Sequence, residues 1–341
     1  MIQGRIAFLF LLAVWAPSSR AAEASSITEP ISPVSMSYRR LAHTINFDQA
    51  IYATPDWGVN LRSEHYELSR SAGFTAIRLP IDWTKYAART PPYAVEPSFF
   101  RRVDSAIEPA LSKKMAVILD YHEDKELMSD PGAHRERFLS LWRQIAEHYR
   151  RWDQGLLFEV MAEPHDELDA LWNGFFADAL SVIRETNPER TVLVGPSYYN
   201  SVKDIDRLRL PADKNLIVCI HVYRPIKFVF QGEDFLPSNV DAHKWLGTRW
   251  TGSPAERKEI RDDFDKMEKW STANGRPLFV EEFGSTTNAD MKSRALWTAF
   301  LRHEAEARGF SWGFWAFGPT FALYNFEKRA WQPDLLKALF P

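Results

Sequence analysis

The chain has 341 residues, 45% of them apolar, enough to bury the core of one large domain such as an α/β barrel of roughly 250 residues or more. Its 42 Lys and Arg against 45 Asp and Glu leave a formal net charge of −3 with no block of like charge, which removes the electrostatic basis for nucleic-acid binding. The single cysteine, Cys219, excludes an internal disulfide, and its apolar surroundings mark a buried, inert thiol.

The N-terminus reads as an export signal. Arg5 supplies a positive charge, and Ile6 to Ala16 is an apolar run of signal-peptide length, too short for a stable span. Ser19-Arg20-Ala21 and Ala22-Glu23-Ala24 each put small residues where a signal peptidase reads. Residues 1–21 are thus expected to be a signal peptide, cleaved after 21 or 24, leaving a secreted or periplasmic protein without a membrane span. Ser25 to Ser37, rich in Ser and Pro and without periodicity, is expected to be a flexible lead-in to one domain over 38–341.

From there short apolar runs alternate with amphipathic stretches. The runs are Ala42–Phe47, Ala76–Pro80, Ala116–Tyr121, Leu156–Met161, Thr191–Gly195, Leu216–His221, Leu278–Glu282 and Phe310–Trp315. Between them, Phe99, Val103, Ile107 and Leu111 recur at helical spacing. Ser253-Pro254-Ala255-Glu256 is a capping box with proline at the first helical position, and Asn274-Gly275 and Ala72-Gly73 are helix stops. Eight continuous apolar strands alternating with helices predict a single (β/α)8 barrel of α/β class. The gap after the sixth run is long. It holds Gln231 to Gly252 and is expected to border a cleft, with Trp245 or Trp250 available for stacking.

Barrel active sites form at the C-terminal ends of the strands. There the runs deliver Arg78, His122, Glu163, His221 with Tyr223, Glu281-Glu282, and Trp315. Taken singly, each has a structural alternative: a turn Glu, an ion-paired Arg, a hydrogen-bonded wall His, a core Trp. Their ordered recurrence at matching strand ends favours a site. Two carboxylates at one mouth suit glycoside hydrolysis, where one is protonated to assist the leaving oxygen and the other is ionised to attack the anomeric carbon. A nearby Arg and Tyr would hold the attacking acid ionised. Glu281 and Glu282 are adjacent, so regular alternation sends only one of them toward the cleft, and Glu282 lies nearer the strand end. The 13 Trp either fill the core or offer flat faces on which pyranose rings stack.

At these residues the chain resembles glycoside hydrolase family 5, the large cellulase family. The motifs are Phe74-Thr-Ala-Ile-Arg78-Leu-Pro80, Leu119-Asp-Tyr-His122, Leu157-Phe-Glu-Val-Met-Ala-Glu163-Pro164-His165, His221-Val-Tyr223, Val280-Glu-Glu282-Phe-Gly284 and Ser311-Trp-Gly-Phe-Trp315, with a similar tail over 317–324. The resemblance implies a retaining mechanism with Glu163 as acid/base and Glu282 as nucleophile. It also implies Arg78 and Tyr223 supporting the nucleophile, His221 beside the acid/base, and His122 and Trp315 contacting sugar. The substrate expected from it is a β-linked polysaccharide or oligosaccharide, above all a β-1,4-glucan cut internally, without cofactor or metal. Two positions depart from the family pattern. Ala162 stands where Asn usually precedes the acid/base and resembles a contact to the sugar 2-hydroxyl. Glu281 stands where a small residue is usual.

Other readings are a glycan-binding protein without catalysis, for which Ala162 speaks, and a hydrolase of another β-glycan such as mannan, β-1,3-glucan or an exopolysaccharide. A metal-dependent hydrolase lacks its spacing, since the nine His contain no H-x-H pair and no H-E-x-x-H. No G-x-S-x-G elbow occurs either.

Overall fold

The computed structural model describes residues 33–48, 61–122 and 124–341. The expected signal peptide and most of the lead-in lie outside them. Eight parallel strands close into a barrel in chain order: β1 (His43–Asn46), β2 (Ala76–Ile81), β3 (Ala116–Tyr121), β4 (Leu156–Glu159), β5 (Val192–Val194), β6 (Leu216–His221), β7 (Leu278–Phe283) and β8 (Ser311–Phe314). Closure is made by β1 on β8, with Thr44 opposite Gly313. The strands are apolar on both faces because both are covered. Ala116, Ile118, Leu157, Leu193, Ile217, Cys219 and Phe279 fill the barrel, while Ile77, Leu79, Val117, Leu119, Phe158 and Val280 pack outward under the helices.

Helices Ser63–Ala72, Pro97–Ser112, Pro131–Tyr149, Trp172–Arg184, Pro254–Asn274 and Met291–Ala307 follow six of the first seven strands. Between β5 and β6 no long helix intervenes, and a short turn over Ser197–Asn200 followed by a 3₁₀ segment, Val202–Arg207, makes the crossover. The capping box forms as read: Glu256 N–H donates to Ser253 Oγ at 3.3 Å, and Ser253 N–H donates to Glu256 Oε2 at 2.8 Å. Gly73 (φ 113°) and Gly275 (φ 59°) end their helices in the left-handed conformation that glycine tolerates.

Two features differ from the sequence reading. The last part of the supposed lead-in is ordered, because Pro33–Arg40 is a helix. Its Val34 and Tyr38 pack with Leu41 against the residues filling the barrel, and Tyr38 Oη accepts from Ser311 N–H at 3.0 Å. Ser and Pro content suggested a loop, but proline is at home in a first helical turn. The second difference is a bulge in β7. Ile220 pairs with Val280, but His221 pairs with Glu282, so Glu281 is the extra residue, and the β7–β8 register shifts over the same stretch.

The bulge requires small neighbours. A Cβ on Gly313 would stand 2.3 Å from Glu281 O, and one on Gly284 would stand 1.8 Å from Trp315 O. Both obstacles are backbone, so they cannot swing aside. Gly284→Ala is expected to destabilise the protein by about 3 kcal/mol, the upper range for overpacking, read as a lowered midpoint in chemical denaturation.

Candidate active site

The barrel filling ends in charge. Arg78 is wholly buried on β2, and its guanidinium is engaged on every edge. Nε and Nη2 donate to the two oxygens of Glu159 at 2.6 and 2.9 Å, and Nη2 also pairs with Asp120 Oδ2 at 2.8 Å. Nη1 donates to Asn46 Oδ1 at 3.1 Å and to Glu282 Oε1 at 2.6 Å. Burial alone would lower the arginine's pKa, but the charges of Asp120, Glu159, Glu281 and Glu282 hold it well above its ordinary value. Glu159 goes the other way. Burial, helped by Asp120 and Glu281, outweighs Arg78 and raises its carboxyl well above the ordinary range.

Above this layer the predicted residues meet. Glu282 Oε2 accepts from Tyr223 Oη at 2.7 Å, so one of its oxygens faces Tyr223 and the other Arg78. His221 Nδ1 lies 2.8 Å from Glu163 Oε1 and 3.4 Å from Glu282 Oε2. One donor atom from each of Glu163, His221 and Glu282 falls within 4.8 Å of the other two, which brings an oxygen of each carboxylate that close. His122 hydrogen-bonds Asp120 Oδ2 through Nδ1 at 2.7 Å and stacks near-parallel to Trp315 at 6.1 Å. Ala162 is buried beside Glu163, its N–H donating to Tyr121 O at 3.1 Å.

Glu163 sits in the left-handed region at φ 50°, an uncommon place for a residue with a side chain. The turn is braced from two sides. His165 Nδ1 lies 2.6 Å from Glu163 O, and Tyr199 stacks on the His165 ring at 4.4 Å while its N–H donates to Pro164 O at 3.1 Å. The loop after β5 that carries Tyr199 is itself unusual, since Tyr198, Tyr199 and Asn200 all have φ between 51° and 62°.

The resting proton is not where residue types alone would put it. Burial would raise the Glu163 carboxyl, but the hydrogen bond and charge of His221, with His122 and His165 further off, hold it below the ordinary range. Burial would lower His221, but Glu282 and the bonds to Glu163 and Glu281 hold it well above its usual value. Both shifts favour a proton on the histidine over one on Glu163.

Regular alternation fails at β7. Because of the bulge, Glu281 and Glu282 both face the interior, Glu281 Oε1 at 3.5 Å and Glu282 Oε1 at 2.6 Å from Arg78. Asp120, Glu159 and Asn46 join the site without standing at a run end; their signal in the sequence is parity, since each lies an even number of residues from an inward-facing neighbour. Asp48, just past β1, carries no such signal. Asp48 Oδ1 accepts from Gly318 N–H at 2.6 Å, and burial, with a contribution from Glu282, raises its carboxyl to about 7.

In the long connection, Gln231 is buried and ties the loop together, donating to Phe228 O and Thr248 O and accepting from Gly247 N–H. Trp250 is only 1% exposed and packs on Phe300, which withdraws it from stacking on any ligand. Trp245 is half-buried. The exposed ring leading out from the site is Phe235, 59% exposed, against Phe230, which in turn contacts Tyr223.

Metal donors are close together here, but their lone pairs are committed. In the set Glu163, His221 and Glu282, both Glu282 oxygens already accept from Arg78 and Tyr223. The set Glu159, Cys219 and Glu281 shares its two acids with Arg78, a fixed cation. The described residues therefore fit a hydrogen-bonded acid pair better than a cation site. Arg78→Ala strands several buried carboxylates at once, and a loss of about 3–5 kcal/mol is expected, as for breaking a buried ion pair. Denaturant unfolding of the variant checks it.

Among the described residues, no helix is long and apolar enough to cross a membrane. Residues 42–320 match the cellulase family, glycosyl hydrolase family 5. Endoglucanase H of Acetivibrio thermocellus is 30% identical over 93% of this chain, which spans only 34% of that relative's length. Among solved structures, Cel5A of Thermotoga maritima in complex with cellobiose superposes with a TM-score of 0.86 at 38% identity, covering 89% of this chain and 99% of that one. The cellulose synthase subunit Z of Clostridioides difficile gives 0.84 at 33% identity, covering 88% and 99%. With this match over most of its length and the closed barrel around it, the chain belongs to the cellulase family, glycosyl hydrolase family 5.

Proposed function

We propose that the protein is a retaining β-glycan hydrolase, acting as an endo-β-1,4-glucanase, with Glu282 as nucleophile and Glu163 as acid/base. The observation that carries this is the pair of carboxylates with oxygens within 4.8 Å, one held by Arg78 and Tyr223 and the other by His221. Retention needs carboxyls about 5–5.5 Å apart, whereas inversion needs room for a water between them. Glu282 is fixed by a cation and a phenol, which suits an ionised attacking group. Glu163 is joined to a proton-bearing ring, which suits a group that gives and takes a proton.

In the first step a Glu282 oxygen bonds to the anomeric carbon as the glycosidic C–O bond breaks, and the leaving oxygen takes a proton from Glu163. In the second, water attacks the same carbon, gives its proton to Glu163 and displaces the carboxylate. His122 and Trp315 form a wall for the sugar. Export through the N-terminal leader puts the enzyme where polysaccharide is found. The T. maritima relative has also been solved with mannotriose, so a mannan belongs in the substrate panel beside carboxymethyl cellulose, mixed-linkage glucan and β-1,3-glucan.

The parent is expected to release reducing ends from the β-1,4-glucan members of that panel. Glu282→Gln is expected to abolish this, since an amide cannot form the glycosyl ester. Glu163→Ala should recover on aryl glycosides with good leaving groups, which need little acid help. Equal dependence of the two variants on leaving-group pKa would reverse the assignment.

Ala162 removes one hydrogen-bonding side chain from beside the acid/base, which fits a narrowed substrate range rather than lost catalysis. Ala162→Asn is expected to raise kcat by roughly tenfold with little change in KM, the effect of about 1.4 kcal/mol of bonding made in the transition state. Steady-state kinetics on the best substrate decide it. A parent inert on every glycan that still binds one would favour the non-catalytic reading.

A further inference from the structure

Glu281 is a buried acid that the proposed chemistry does not use. It is fully enclosed on the β7 bulge, with Oε2 3.3 Å from His221 Nε2 and Oε1 without a hydrogen bond. The other nitrogen of the same ring, Nδ1, is 2.8 Å from Glu163 Oε1. One imidazole thus links an acid inside the barrel to an acid at its mouth.

A carboxylate at each ring nitrogen constrains the protons. If His221 is charged, it donates Nε2–H to Glu281 and Nδ1–H to Glu163. If it is neutral and Glu163 is protonated, Glu163 donates to Nδ1 and Nε2–H still goes to Glu281. Both arrangements satisfy every group, and both keep the proton on Nε2. The alternative tautomer, with Nε2 bare, would set its lone pair against the Glu281 oxygen. Asn200 Nδ2 lies 3.3 Å from Nε2 with its Oδ1 unpartnered, and the assignment with the amide turned over presents that oxygen to the same N–H as a second acceptor.

Resting on the role given above to Glu163, we propose that Glu281 is a positioning residue that pins a proton on Nε2 of His221 and so makes the ring the store from which Glu163 draws its catalytic proton. In the first step the Nδ1 proton passes to Glu163 as Glu163 protonates the leaving oxygen, and His221 is left neutral with Nε2–H on Glu281. In the second, the proton taken from water returns through Glu163 to Nδ1. No proton is gained or lost over the cycle.

The charges around the ring support this. From β7, Glu282 lies 3.4 Å from Nδ1. From β2, Arg78 is the neighbouring fixed cation. Its charge and the His221 bond outweigh burial and hold Glu281 below the ordinary carboxylate range, so the acid is ionised. From β3 and β4, Asp120 and Glu159 both pair with Arg78. On β6, burial and the nearby Glu281 charge keep Cys219 a thiol, and beyond it burial and Glu282 keep Tyr223 a phenol. Glu281 is therefore the ionised group that meets Nε2, while Glu163 and Glu282 meet Nδ1.

The test is nitrogen-15 NMR of the His221 ring in the substrate-free enzyme, with the pH dependence of kcat/KM on an aryl β-cellobioside carrying a poor leaving group. In the parent, both ring nitrogens are expected to be protonated at neutral pH, with Nε2–H persisting when Nδ1 deprotonates at higher pH. Glu281→Gln keeps the shape and removes the charge. It should move that deprotonation, and with it the alkaline limb of kcat/KM, down by about one pH unit, a roughly tenfold loss of proton affinity. Glu281→Asp should restore much of the shift. A merely structural Glu281 would lower stability or kcat and leave both midpoints in place, and that result overturns the proposal. So does a bare Nε2 in the parent at neutral pH, which can be read even if Glu281→Gln does not fold. Should the parent cleave no glycan, the hydrolase reading fails, while the nitrogen titration still reports whether Glu281 holds the proton on His221.

Discussion

The structure turns on one buried guanidinium. Arg78 is fixed near the barrel axis by Glu159 and Asp120, and only then does it present Nη1 to Glu282. A lysine could not do this, because a single ammonium lacks the planar fork that meets several carboxylates at defined angles. Burying such a cation is unfavourable unless it is fully paired. The ring of acids is thus as much a condition for Arg78 as Arg78 is for the acids. Asn46 completes it, bonding Arg78 through its oxygen and the Glu281 and Phe314 carbonyls through its nitrogen, which ties the charged layer to the backbone at the β7 bulge.

The barrel was legible because its strands are buried on both faces. Runs such as Ala116–Tyr121 and Leu216–His221 read as continuous apolar segments, and their bounds in the structure are the same. The residues that end them, Arg78 apart, stand where hydrophobic pattern gives way to chemistry, so Glu163, His221, Tyr223 and Glu282 could be picked out one strand at a time. What brings them together is closure of the sheet, which no single run encodes.

The parts that were not legible share a physical reason. Reading a strand by alternation assumes an unbroken register, and the bulge at Glu281 breaks it, so a residue assigned to the outer face turns inward. Asp120 and Glu159 were hidden inside apolar runs, where a lone acid resembles a flaw in the pattern rather than one member of a layer. Of the two candidates Trp245 and Trp250, sequence does not say which is free, because a tryptophan in a long connection is equally able to bury itself, and Trp250 does. Pro33 to Ser37 looked like a tether by composition, while its helical state depends on Tyr38 and Leu41 docking against the barrel filling.

The β5 loop shows what such a site asks of the fold. Tyr198, Tyr199 and Asn200 hold left-handed backbone one after another, and Asn200 stands against His221 while Tyr199 steadies the turn of Glu163. Asparagine accepts that conformation readily, whereas each tyrosine carries strain on the order of 1–3 kcal/mol. Glycine would relieve it at an entropic cost of roughly 0.5–1 kcal/mol. A thermostability campaign blind to turnover would therefore drift toward glycine at both tyrosines. The result would be a hardier barrel with slack beneath the turn of Glu163, an instance of the trade between endurance and a held geometry written into three consecutive residues.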